Sequence, residues 1–234
     1  MEDFPNALVA AIQRKHSAAV VGLDPDITLM PQWFVSSCAN AADALQQYGR
    51  LVIDAVHDLV PVIKPQLAYY ELYGSAGMVA LAATVEYARD AGLLVLLDAK
   101  RGDIGSTSTA YAKAYLAEGP SGIRGDAITL NPYLGADSLA PFVDVARAAG
   151  AGLFICAMTS NPGARDLQCL VANGQPIYSH VADIVRSFQN EAAAGSYSRV
   201  GIVAGATYPT EAAALRKALP KSFFLVPGMG HQGG

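Results

Sequence analysis

Seven short apolar runs, separated by Ala- and Leu-rich stretches, constrain this chain more than any other feature. They lie at residues 19–23, 60–65, 93–97, 127–130, 153–158, 200–204 and 223–226. Continuous apolar runs of this length suit strands of a parallel sheet that is covered on both faces. The intervening stretches read as helices at 41–59, 77–91, 109–117, 138–149, 177–194 and 210–218, after an opening helix at 4–14. The pattern is βα repeated seven times, expected to form one domain over 1–234.

Two α/β architectures accommodate such a repeat: an open doubly wound sheet and a closed (β/α)8 barrel. The polar residues at the strand ends favour the barrel. Asp24, Lys64, Asp98, Lys100, Asn131, Ser160 and Gly228 all sit at or just past the C-terminal ends of different runs. A barrel brings such ends to one rim, whereas an open sheet spreads them along an edge. The expected fold is therefore a (β/α)8 TIM barrel. Its eighth strand and helix are missing from the sequence, which stops at Gly234 with a loop-like His231-Gln232-Gly233-Gly234. The expectation is a protein that continues further, with an intact mass well above 24.4 kDa.

Charge is scarce, at 15% of residues against 52% hydrophobic. That makes Leu97-Asp98-Ala99-Lys100-Arg101-Gly102-Asp103-Ile104 conspicuous, because it follows a run that must be buried. Charges at the mouth of a buried strand are costly unless paired. Alternate strand residues share a face, so Asp98 and Lys100 are expected to project together, with Asp103 beyond the turn. One explanation is a surface ion-pair cluster worth about 1 kcal/mol. The other is an alternating charge array in which carboxylates keep an ammonium protonated, as a fixed cation and proton donor. Lys64, in the apolar run Val62-Ile63-Lys64-Pro65, supplies a counter-ion and completes Lys64, Asp98, Lys100 and Asp103.

Other features narrow the function by exclusion. A net charge of −4 without any Lys/Arg block excludes a basic nucleic-acid surface. No apolar run approaches the roughly 18 residues of a membrane span, and no secretory signal is read at Met1-Glu2-Asp3. Cys38, Cys156 and Cys169 are odd in number and have no C-x-x-C spacing. They read as free thiols in a reducing cytoplasm. His16, His57, His180 and His231 lack metal spacing and read as ordinary structural or surface residues. The tail Gly228-Met229-Gly230-His231-Gln232-Gly233 spells G-x-G-x-x-G, but too little chain follows for a dinucleotide-binding unit. A glycine-rich loop after a barrel's seventh strand suits phosphate instead.

The stretch Asp98-Ala99-Lys100-Arg101-Gly102-Asp103-Ile104-Gly105-Ser106-Thr107 resembles the D-x-K-x-x-D-[IV]-x-x-T signature of the orotidine 5′-phosphate decarboxylase family. Gly22-Leu23-Asp24-Pro25-Asp26, Ile63-Lys64-Pro65-Gln66, Thr129-Leu130-Asn131-Pro132-Tyr133, Thr159-Ser160-Asn161-Pro162-Gly163 and Val226-Pro227-Gly228 through Gln232-Gly233 resemble further segments in family order. The longer bacterial branch is the most similar. The resemblance implies decarboxylation of orotidine 5′-phosphate to uridine 5′-phosphate in pyrimidine biosynthesis, with no cofactor and no metal. Lys64, Asp98, Lys100 and Asp103 would be the catalytic network. Asp24, Ile104, Thr107, Ser160, Pro227, Gln232 and Gly233 would bind substrate: Asp24 the ribose, Ser160 the pyrimidine, Gln232 the phosphate. Asp103 and Thr107 would reach the neighbouring site of a homodimer. The family's phosphate-binding arginine after strand eight has no counterpart among the 234 residues. The alternative is a magnesium-dependent sugar-phosphate decarboxylase or aldolase on the same barrel. A cation at Lys64, where those relatives carry an acid, argues against it.

Overall fold

A computed structural model describes residues 3–189 and 196–229. Helix α1 (Phe4–Lys15) leads into β1 (Val20–Leu23), then a 3-10 turn (Ile27–Leu29), α2 (Gln32–Ser37) and α3 (Ala41–Val56). Next come β2 (Val62–Pro65), α4 (Leu67–Glu71), α5 (Gly74–Asp90), β3 (Leu94–Arg101), α6 (Gly105–Leu116), β4 (Ala127–Leu130) and α7 (Ala136–Ala149). The chain continues through β5 (Gly152–Met158), α8 (Ala164–Leu167), the hairpin β6 (Val171–Ala172) and β7 (Gln175–Pro176), and α9 (Ile177–Ser187). It closes with β8 (Ser198–Ala204), α10 (Pro209–Ala218) and β9 (Ser222–Leu225).

All seven expected strands form, and they are hydrogen-bonded in the order β1-β2-β3-β4-β5-β8-β9. This order follows the chain without reversal. A doubly wound sheet reverses at a switch point, so the topology is that of a (β/α)8 barrel through seven of its units. The helix read at 177–194 ends at Ser187, and residues 190–194 lie outside the described ones.

The chain divides into two compact units. The first holds residues up to Ala99 together with Lys113–Ile128. Its core comes from strand residues such as Ile63, Val95 and Leu97, and from one face of α3 at Ala44, Leu45, Gly49 and Ile53. The Asn40 side chain starts α3 by accepting from the Asp43 N–H at 3.0 Å, a satisfied helix terminus. Gly49 lets α5 approach closely: a Cβ there would stand 3.0 Å from the Thr84 side chain. The second unit holds Lys100–Ala112 and everything from Thr129 onward. Leu130, Leu139, Phe142, Leu153, Ile155, Val185 and Ile202 form its core.

Candidate active site

Lys64 of β2, Gln66 just after it and Asp98 of β3 make the first charged centre. Asp98 is 6% exposed. Lys64 Nζ lies 2.8 Å from Asp98 Oδ2, and Gln66 Nε2 donates to the same oxygen at 3.1 Å. The register explains the meeting. Val62 pairs with Leu94 and Ile63 with Val95, and the bridge between Gln66 and Asp98 keeps that offset. Lys64 and Gln66 share a face because strand side chains alternate. Pro65, buried on the other face, disfavours helical geometry at Lys64. The expected pairing of Lys64 with Asp98 is thus present. Gln66 is a site residue that the sequence reading passed over.

β3 runs four residues beyond the apolar run that announces it. The Asn131 N–H donates to the Arg101 carbonyl at 2.9 Å, which extends the ladder past Leu97. The expectation that Asp98 and Lys100 project together by plain alternation needs correcting. Lys100 has φ +46°, and alternation presupposes extended backbone. Left-handed geometry in a residue with a Cβ costs about 1–2 kcal/mol and concentrates at functional sites. The Lys100 N–H donates to Thr129 Oγ1 at 2.9 Å. In the second unit, Lys100 lines a cavity of about 540 Å³ together with Asn131, Tyr133, Cys156, Thr159 and His180. That volume falls within the roughly 300–1,000 Å³ of small-molecule sites.

Past Lys100 the chain makes a tight turn against β4. A side chain on Gly102 would begin 2.9 Å from the Asn131 carbonyl oxygen. Asp103 Oδ1 accepts from the Ile104 N–H at 2.7 Å. The Ser108 hydroxyl is within reach of the carbonyls of Asp103 and Ser138. Ile104 and Thr107 stand exposed. Thr107 lies in the first turn of α6, which starts at Gly105, four residues before the expected start at 109.

The remaining predicted residues fall on loops after strands. Asp24 follows β1 and is exposed, with Oδ2 folded back over Gly22. Nearby, burial pushes the Tyr70 phenol above its ordinary range. Ser160 follows β5 and is seated beneath Gly205, where a Cβ would stand 2.7 Å from Ser160 Cα. Thr207 Oγ1 donates to the Ser160 carbonyl at 3.0 Å, and the Ala206 N–H donates to the Pro227 carbonyl at 2.9 Å. Ser160 and Pro227 are thereby tied to one loop. Gln168 clamps Thr159 by donating to its Oγ1 at 2.8 Å and accepting from its N–H at 2.7 Å. Gln232, Gly233 and His231 lie outside the described residues. His180 is structural: its Nε2–H donates to the Ala172 carbonyl at 2.7 Å, and Gln175 contacts Nδ1 at 3.1 Å. Among the described residues, no group of three His, Cys, Asp or Glu is placed to hold a metal ion, and no helix is long and apolar enough to cross a membrane.

Comparison with known proteins gives these residues a context. Orotidine 5′-phosphate decarboxylase of Rhodopirellula baltica is 46% identical over 243 aligned positions, covering 100% of this chain and 80% of that protein. The Herpetosiphon aurantiacus enzyme of the same name is 42% identical, with 99% and 80% covered. Among solved structures, Leishmania donovani OMP decarboxylase superposes with a TM-score of 0.80 at 33% identity, covering 97% of this chain and 80% of that one. The model of the orotidine 5′-phosphate decarboxylase / HUMPS family matches residues 20–234. On this match and these identities, the chain belongs to the orotidine 5′-phosphate decarboxylase / HUMPS family.

Proposed function

We propose that this chain decarboxylates orotidine 5′-phosphate to uridine 5′-phosphate and carbon dioxide, as a step of pyrimidine biosynthesis. The observation that carries the reading is the buried Asp98 carboxylate held by Lys64 at 2.8 Å, two residues before a Lys100 kept in left-handed backbone. The full-length likeness to enzymes of that name supports it.

In the proposed reaction the bond from C6 of the pyrimidine to its carboxylate breaks. The electron pair stays on C6, and carbon dioxide departs. The Lys100 ammonium stabilises the carbanion and then donates its proton to C6. A unit charge about 4 Å away is worth about 4 kcal/mol at an effective dielectric near 20. The backbone that carries that charge is set before substrate arrives, by the left-handed φ of Lys100 and the bond from its N–H to Thr129 Oγ1. Asp98 lies beside the departing carboxylate. Lys64, with Nζ 2.8 Å from Asp98 Oδ2, supplies that carboxylate's counter-charge.

Asp24 holds the ribose, Ser160 the pyrimidine, and Pro227, Gln232 and Gly233 the phosphate end. Ile104 contacts substrate, while Asp103 and Thr107 serve the site of a second copy, making the active form a homodimer. The exposure of that segment supports this assignment. The enzyme acts in the cytoplasm, in keeping with three cysteines that form no disulfide. The test is loss of orotidine 5′-phosphate absorbance with the purified protein, with and without EDTA. Equal rates in both conditions are expected. Activity abolished by EDTA and restored by magnesium would replace this reading with the metal-dependent one.

A further inference from the structure

We infer that Gln66 is a positioning residue for catalysis, fixing the rotation of the Asp98 carboxylate by a hydrogen bond that adds no charge. The inference rests on the decarboxylase reading and concerns a residue with no role in it so far. Asp98 Oδ2 receives two donors, Lys64 Nζ at 2.8 Å and Gln66 Nε2 at 3.1 Å. A carboxylate only accepts, so the amide must present its nitrogen and not its oxygen. Two donors converging on one oxygen restrict the torsion about Cβ–Cγ more tightly than the flexible lysine does by itself.

The backbone makes the arrangement specific to residue 66. Gln66, the residue just after β2, is directly bridged to Asp98 of β3, so the two side chains are lateral neighbours on one face. Its own N–H donates to the Leu23 carbonyl at 3.0 Å. Gln66 is also the N-cap of α4, yet its side chain does not cap that helix. A side chain placed where it would ordinarily serve the helix is used on the carboxylate instead.

The chemistry explains a neutral donor. Lys64 already supplies the counter-charge. A second cation would weaken the negative field that Asp98 presents to the departing carboxylate. An acid would add a second negative charge and force one of the two groups to hold a proton. An amide orients without doing either.

The test compares steady-state kinetics of the wild-type chain with Gln66→Met, Gln66→Glu and Gln66→His, alongside inhibition by uridine 5′-phosphate. Loss of a hydrogen bond to a charged group predicts kcat about 10- to 100-fold lower in Gln66→Met. KM and the inhibition constant should stay within about threefold. Gln66→Glu should fall further than Gln66→Met, because its carboxylate faces Asp98. Gln66→His, which regains a donor, should recover part of the loss. Wild-type kcat in Gln66→Met, or equal losses in Met and Glu, would overturn the inference. Absence of turnover in the wild-type chain would overturn the decarboxylase reading itself, and the two failures are separately visible.

Discussion

Lys100 combines the two demands that its position makes. Its side chain is proposed to hold charge at C6, and its backbone at φ +46° carries strain. The strain gives a prediction separable from catalysis. Both Lys100→Ala and Lys100→Gly remove the ammonium, but only glycine relieves the left-handed penalty. In ordinary strand backbone, glycine would be the less stable of the two by about 0.5–1 kcal/mol. Here Lys100→Gly should be the more stable by about 1 kcal/mol, measured by urea unfolding. A second residue-scale prediction concerns Asp126, which burial holds above the usual carboxylate range even though it accepts from the Val95 N–H at 2.8 Å. Arg89 and Arg124 oppose that shift without cancelling it. A raised folded value means that the unfolded carboxyl gives up its proton first. The stability contributed by this group is therefore fully present below the unfolded value, near pH 4, and is lost as pH rises through the folded one. Asp126→Asn keeps an acceptor for Val95 and removes the charge. It should raise the urea midpoint relative to wild type at pH 7 and converge with it near pH 3.

At the scale of elements, the loops after β5 and β8 depend on one missing side chain. A Cβ at Gly205 would meet Ser160 backbone at 2.7 and 2.9 Å, and backbone cannot swing aside as a flexible side chain can. Gly205→Ala should cost about 1–3 kcal/mol and should raise KM more than it lowers kcat, because it displaces Ser160. An unchanged KM would separate Ser160 from substrate binding. The strands themselves were legible because their apolar runs are long for their depth of burial; β4 falls on 127–130 as expected. The short helices α2, α4 and α8 were not, since four to six residues give no helical periodicity to read. The hairpin carries its own signal, Asn173-Gly174, with φ +51° and +81°, which suits a type I′ turn. Its two-residue strands are too short to show alternation, so the turn was the one cue.

For the whole molecule, the charged motif disclosed more than any periodicity. Asp98, Lys64 and their pairing were legible from residue type and strand position. Gln66 was not, because its role follows from the inter-strand register, which no single strand's pattern contains. Nor was the φ of Lys100, which plain alternation assumed to be extended. Although the chain divides into two compact units, β3 and β4 each contribute residues to both. We therefore propose one domain over 1–234, for which thermal unfolding should show one transition with coincident probes. The proposed homodimer makes a sharper demand. Lys100→Ala and Asp103→Ala should each be nearly inactive alone. Mixed and allowed to exchange subunits equally, they should recover roughly a quarter of wild-type activity, because each mixed dimer keeps one intact site. No recovery on mixing would place Asp103 in its own subunit's site.

The most direct test of the central claim, that Lys100 carries the decarboxylation, is single-turnover decarboxylation by Lys100→Ala beside its affinity for uridine 5′-phosphate. A contribution of about 4 kcal/mol corresponds to a rate at least about a thousandfold below wild type, with product affinity changed little. Turnover within tenfold of wild type would contradict the account.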